Sequence, residues 1–354
     1  MTGDRQDPAV VAKILIVGPA WVGDMIMAQS LFKVLRTRHP DAVIDVLAPP
    51  ATLPLLDFMS EVRRGIEMPF RHGELALAGR HALGRSLRQE GYDIAIVVPR
   101  TLKAAAVAYW ARIPVRVGHP RGRAFGLLTA RRGIDPKRAV HQAVRFAALA
   151  GPADDDAPLP APSLRVSPAR TEAALADNAL AAPARPLLVL APGSGNTPSK
   201  RWPVDSFSAL ARARHGAGWE VWLMGAPGDR EVTAAVQAAS GGVCLDLGGR
   251  TAMGDAVALT ALAQQVVTND TGTLHVAAAL GRPTVAVFGP TDPGFTLPQA
   301  PQVRAVRLGL SCSPCFAPEC PLGHFNCMKE LTPALVLAAL EELGGGTAAP
   351  GITR

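Results

Sequence analysis

The chain has 354 residues, 48% hydrophobic and 18% charged, which is room and core material for two domains and too apolar for a disordered protein. The net charge of +7 lies unevenly: residues 1–150 carry 22 Lys+Arg against 12 Asp+Glu, and the remainder 14 against 17. Only 5% of residues are aromatic, so no stacking platform accompanies the basic ones. That argues against single-stranded nucleic acid and leaves an anionic surface or a phosphorylated ligand as the partner of the front half. The opening MTGDRQDPAV has no basic-then-apolar leader pattern, and no run of about 18 apolar residues occurs. A cytoplasmic protein without a membrane span is expected.

Residues 13–17 (KILIV) read as a short buried strand, followed by Gly18-Pro19-Ala20-Trp21-Val22-Gly23-Asp24. Apolar residues then recur at helical spacing from Met25 to Arg38. Further strands are expected at 42–47, 94–98 and 115–117. Short apolar runs alternating with helices predict a parallel sheet covered on both faces. The Pro/Ala-rich segment 166–186 reads as a linker after an amino-terminal domain at 1–165. The pattern then restarts, with strands at 187–190, 220–224, 265–268 and 284–288 and helices between them. This gives a second α/β domain at 187–331 and a terminal helix and tail at 332–354. Two such halves predict a cleft with ligands beyond the carboxyl ends of the strands.

Three loops could carry chemistry. In the first, two glycines allow a tight turn and Asp24 stands at the helix start, where it serves either as a helix cap or as a general base toward a hydroxyl. The second runs Gly193-Ser194-Gly195-Asn196-Thr197-Pro198-Ser199-Lys200-Arg201-Trp202-Pro203. Its amides, hydroxyls and the Lys200 ammonium could surround a diphosphate, or the segment is a plain surface loop. The third, Asn269-Asp270-Thr271-Gly272-Thr273, opens a helix whose N–H groups favour an anion; Asp270 or Thr271 could equally cap it. A dinucleotide is not expected: the first loop reads GPAWVG, with Trp21 where the backbone would approach a cofactor.

In these segments, together with Pro99–Ala105, His275–Ala279 and Phe288-Gly289-Pro290-Thr291, the sequence resembles the bacterial ADP-heptose:LPS heptosyltransferases. It is most similar to the members that add a second heptose. The likeness runs from Lys13 to about Glu342. It implies an α/β GT-B fold, two Rossmann-like domains with parallel sheets facing a central cleft. It also implies inverting transfer from ADP-heptose to a heptosyl-Kdo2-lipid A acceptor. On this resemblance Asp24 is the catalytic aspartate near the acceptor, and Lys200 neutralises the donor's phosphates. The donor loop comprises Asp270, Thr271, Gly272 and Thr273, with His275 close by and Gly193, Ser194, Asn196 and Thr197 lining the phosphates. Thr251 falls where a backbone group meets adenine, and Asp229 or Glu231 where an acidic residue meets ribose. The acceptor's phosphates and the anionic inner leaflet of the inner membrane give the basic front half a use. Candidates there are Arg63, Arg64, Lys103, Arg116, Arg121, Arg123, Arg131 and Arg132. Transfer of the first or a later heptose, and a nucleotide-sugar epimerase on the same scaffold, stand as alternatives.

Four cysteines cluster as Cys312-x2-Cys315-x4-Cys320-x6-Cys327. The spacing suits a structural zinc or an iron–sulfur cluster, and equally a set of reduced thiols. No cofactor is expected to be required for catalysis. Cys244 stands apart and reads as a small core residue.

Overall fold

The computed structural model describes residues 11–70, 73–119, 126–133, 141–151, 158–195, 197–344 and 352–353. It divides into two compact units, Met1–Pro162 and Ser163–Arg354.

The amino-terminal unit runs β1 (Lys13–Val17), α1 (Val22–Arg38), β2 (Val43–Ala48), β3 (Arg64–Glu67), α2 (Leu77–Ser86), β4 (Ile94–Val97), α3 (Leu102–Trp110), β5 (Val115–Gly118), β6 (Ala130–Arg131) and α4 (Gln142–Ala147). Its strands form one parallel sheet in the order β3-β2-β1-β4-β5-β6. The apolar runs explain this: Ile14 to Val17 and Ile94 to Val97 are buried on both faces, as strands sandwiched between helices must be. Chain order reverses between β1 and β4, so the carboxyl ends of these two neighbours flank the switch point of the sheet.

The carboxy-terminal unit repeats the plan. It comprises α5 (Pro168–Asp177), β7 (Leu187–Ala191), α6 (Val204–Gly216), β8 (Glu220–Leu223), α7 (Arg230–Ala239), β9 (Leu245–Asp246), α8 (Met253–Thr260), β10 (Gln265–Asn269), α9 (Gly272–Ala279), β11 (Thr284–Val287), α10 (Pro293–Thr296), β12 (Val303–Val306), α11 (Asn326–Lys329), α12 (Pro333–Gly344) and β13 (Ile352–Thr353). The sheet is parallel in the order β13-β12-β11-β10-β7-β8-β9, with its switch point between β7 and β10. Each unit is therefore Rossmann-like, as the sequence predicts.

Two boundaries differ from expectation. The segment 166–186 is not a linker but part of the second unit. Ser167 caps α5 by accepting the Arg170 N–H at 3.2 Å, and Ala174 and Leu175 pack into a core with Leu187, Val189 and Ala258. Arg170 adds an ion pair to Asp255 at 2.6 Å. Likewise α12 is no appendage: Val336 and Leu340 are fully buried beside β11, β12 and α6. Among the described residues no helix is long and apolar enough to cross a membrane.

Candidate active site

In the amino-terminal unit the carboxyl ends of β1 and β4 carry two neighbouring loops. The β1 loop turns at Gly18, whose N–H donates to the Leu47 carbonyl at 2.8 Å. A Cβ there would lie 2.6 Å from Met25 Cε and 3.2 Å from Val46 Cγ1, so any larger residue would displace the Met25 side chain. Helix α1 begins three residues earlier than its periodicity predicts. Trp21, in extended conformation and 58% exposed, is the N-cap, and its carbonyl accepts the Met25 N–H at 2.9 Å. Asp24 is thus inside the first turn and does not cap the helix. Its carboxylate forms no side-chain hydrogen bond among the described residues, and burial raises its pKa above the ordinary 3.8. A half-buried carboxylate with no side-chain partner among the described residues has the chemistry a general base needs.

The β4 loop supplies Lys103 in the first turn of α3, donating to the Glu74 carbonyl at 3.2 Å. At the end of β5 next door lies His119, which sequence reading missed. It is buried, and burial together with the charges of Arg100 and Arg145 pushes its pKa down to about 4.

Of the other basic candidates among the described residues, Arg131 and Arg132 follow to the carboxyl end of β6 beside Gly118, whereas Arg63, Arg64 and Arg116 do not lie at this edge. Arg63 and Arg64 sit at the amino end of β3 and converge on Asp45, a fully buried carboxylate of β2 that also accepts Tyr92 Oη–H at 2.6 Å. Arg64 further pairs with Glu90 at 2.8 Å. Burial alone would raise the Asp45 pKa, but the hydrogen bonds from Arg63 and Tyr92 and the two guanidinium charges win and lower it. These arginines therefore neutralise a buried charge first. Arg116, near the amino end of β5, donates to the carbonyls of Leu127 and Ile113 at 2.6 and 2.5 Å. Arg131 is exposed on β6, and Arg132 reaches the Ala150 carbonyl at 3.3 Å. Arg121 and Arg123 lie outside the described residues, as does Asn196.

In the carboxy-terminal unit the loops after β7 and β10 are locked together by Asn269. Its amide nitrogen donates to the Pro192 and Gly193 carbonyls at 2.9 and 3.0 Å, and its oxygen accepts the Trp202 N–H at 3.1 Å. This frame brings Lys200 to Asp270: Nζ donates to Oδ2 at 2.7 Å and to the Asp270 carbonyl at 3.3 Å. The Asp270 carboxylate is nearly buried and is also held by the hydroxyls of Thr291 at 2.8 Å and Thr296 at 3.4 Å, which sequence reading did not find. Thr271, extended, is the N-cap of α9, but its hydroxyl accepts no cap hydrogen bond, so the Gly272 and Thr273 N–H groups at the helix start have no partner among the described residues. The Thr271 hydroxyl meets that of Thr268 at 3.2 Å instead. His275 is buried one turn on.

The remaining donor candidates line the same carboxyl edge. Ser194 is buried and accepts Arg201 Nε–H at 2.9 Å, and the Thr197 N–H closes a turn onto the Ser194 carbonyl at 3.3 Å. The buried Asp229, after β8, accepts the Ala226 N–H at 3.0 Å, and its carboxylate lies against Gly193, where any Cβ would fall 2.3 Å from Cγ. Glu231, by contrast, is exposed in the first turn of α7. Thr251 stands in the turn after β9. An ammonium, the open amides at the start of α9 and small residues at a switch point together suit a diphosphate.

A family model described as Glycosyltransferase family 9 (heptosyltransferase) matches residues 80–326. Lipopolysaccharide heptosyltransferase 2 of Salmonella typhimurium is 38% identical over 342 residues, covering 94% of this chain and 98% of that protein. Lipooligosaccharide heptosyltransferase 2 of Haemophilus influenzae is 37% identical over 344 residues, covering 93% and 99%. Among solved structures, Escherichia coli ADP-heptose LPS heptosyltransferase II matches with TM-score 0.83 at 37% identity, over 94% of this chain and 98% of that one. With these neighbours the fold class is GT-B.

Proposed function

Because the chain belongs to glycosyltransferase family 9, the heptosyltransferases, we propose that it transfers heptose from ADP-heptose to the heptosyl-Kdo2-lipid A inner core of lipopolysaccharide, the step of heptosyltransferase II. The nearly full-length likeness to heptosyltransferase 2 proteins favours this step over the first or a later heptose. The observation that carries the chemistry is the Lys200–Asp270 pair beside the open amides of α9.

The ADP diphosphate lies on the α9 amides and the Gly193–Thr197 turn. Lys200 moves part of its charge from Asp270 to the leaving phosphate as the glycosidic bond breaks. Charge that develops in a dry, preorganised site is where one such contact is worth most, about 2.7–4 kcal/mol. Asp270, held by two threonine hydroxyls, is left facing the sugar. Asp24 accepts the proton of the acceptor hydroxyl, whose oxygen attacks the anomeric carbon, and ADP departs with inversion. The reaction so written calls on no metal or organic cofactor.

The acceptor's anionic groups meet Lys103 and the exposed basic residues of the amino-terminal unit, and the protein works peripherally at the cytoplasmic face of the inner membrane. Each basic side chain near an anionic leaflet adds about 1 kcal/mol, so vesicle binding is salt-sensitive. The reading is tested by following ADP release from ADP-heptose. Release that requires the lipid acceptor, with a single product anomer of configuration opposite to the donor's, is expected; acceptor-independent breakdown or epimerisation of the sugar would overturn it.

A further inference from the structure

The cysteine loop plays no part in the chemistry above, yet it touches both shoulders of the Lys200–Asp270 site. Residues 307–325 run between β12 and α11, with Cys327 in the first turn of α11, and the segment is tied down at four points. The Ser199 N–H donates to the Pro318 carbonyl at 3.1 Å, and Ser199 Oγ–H to the Ala317 carbonyl at 2.6 Å. The Phe316 N–H donates to the Pro290 carbonyl at 2.7 Å, and the Ser313 hydroxyl to the Gly289 carbonyl. Ser199 immediately precedes Lys200, and Pro290 immediately precedes Thr291, which holds Asp270.

All four cysteine side chains, spread over 16 residues of sequence, line one small cavity of about 20 Å³ together with His324 and Phe325. That is room for one water-sized body and too little for an iron–sulfur cluster. None of the four forms a disulfide. The Cys320 turn is shaped as thiolate ligands require. The Gly323 N–H closes a tight turn onto the Cys320 carbonyl at 3.0 Å, with Gly323 in the left-handed region, and the Phe325 N–H donates to Cys320 Sγ at 3.4 Å. His324 Nδ1 is already occupied, accepting the Asn326 N–H at 2.9 Å. The packing at Cys327 is equally tight: a Cβ on Gly289 would fall 3.0 Å from its Sγ.

We propose that Cys312, Cys315, Cys320 and Cys327 bind a single thiophilic divalent cation, Zn²⁺ or Fe²⁺, which fixes this loop against Ser199 and Pro290 and so positions Lys200 and Asp270. Four thiolates and no open position make a structural, closed site of the kind zinc and iron favour. Among the described residues no three His, Cys, Asp or Glu side chains stand preassembled around a metal. Closure on the ion therefore takes rotation of the thiols about their Cα–Cβ bonds, toward metal–sulfur distances of about 2.3 Å. The ion site does not depend on the heptosyl-transfer reading; only its effect on Lys200 does.

The test is metal analysis of the full chain, purified without chelator, before and after reconstitution with Zn²⁺ or Co²⁺ under reducing conditions. About one ion per chain is expected, zinc or iron being distinguished by elemental analysis, and Co²⁺ should give the intense visible absorption of a four-coordinate cobalt thiolate. Cys315→Ser and Cys320→Ser should each abolish that spectrum, and Cys244→Ser should leave it unchanged. Cys315 is exposed, so its serine variant should stay folded, which circular dichroism checks. Metal loss should also weaken ADP binding in calorimetry. A reduced, folded chain that takes up neither ion, or Cys315→Ser binding Co²⁺ with the wild-type spectrum, would overturn the proposal.

Discussion

Asp24→Asn separates chemistry from folding. The wild-type carboxylate is half-buried and forms no side-chain hydrogen bond among the described residues, so the isosteric amide removes none of the described contacts. Burial raises its pKa in the folded chain, so ionising it costs the fold stability. That stability is fully present below the unfolded value of 3.8 and is lost as pH rises through the folded pKa. At neutral pH the amide variant should therefore melt no lower than wild type, and the difference in Tm should shrink on acidification. Activity should move the other way. Loss of a general base costs about 10²–10⁴-fold in rate, which is about 2.7–5.4 kcal/mol at 1.36 per decade. In an assay of ADP release at saturating substrates, wild-type kcat should climb with pH until Asp24 is ionised and then level off. The variant should lack that limb. A kcat within a small factor of wild type, or a fall in Tm that accounts for the lost rate, would refute the assignment of the base.

Lys200→Ala should lower kcat by about 10²–10³-fold and weaken ADP binding measured by calorimetry, because the leaving diphosphate loses its cation. Gly193→Ala drives a methyl into the Asp229 carboxylate and should cost about 1–3 kcal/mol in denaturant unfolding along with ADP affinity. Asn269→Ala strands the Pro192 and Gly193 carbonyls and the Trp202 N–H, so urea unfolding should show a loss of at least about 2 kcal/mol. His119, with its pKa pushed down to about 4, should remain neutral by NMR at physiological pH. It contributes stability that is full above about 6.5 and is lost as pH falls toward about 4.

The central strands were legible because strands buried on both faces must be continuous apolar runs: KILIV, IAIV, LLVLA and TVAV carry the signal by themselves. The edge strands were not. Arg64–Glu67, Ala130–Arg131 and Leu245–Asp246 are short and partly polar, and only pairing with a neighbour makes them strands. The Ala-rich stretch within 166–186 reads as helical by itself; what its composition hid is the docking of α5, for which two buried residues, Ala174 and Leu175, suffice. Asp24, Lys200 and Asp270 could be singled out as candidates by their places after strands. Thr291 and Thr296 could not, because their bonds to Asp270 arise only when β11 lies beside β10. Arg63 and Arg64 looked free in a sequence that cannot show Asp45 buried beneath them.

The most direct test of heptosyl transfer offers the purified enzyme ADP-heptose and lipid acceptors bearing no heptose, one heptose or two. The account predicts that only the acceptor with one heptose gains a single sugar, in step with ADP release. Extension of the heptose-free acceptor in preference, or no extension of any, would contradict it.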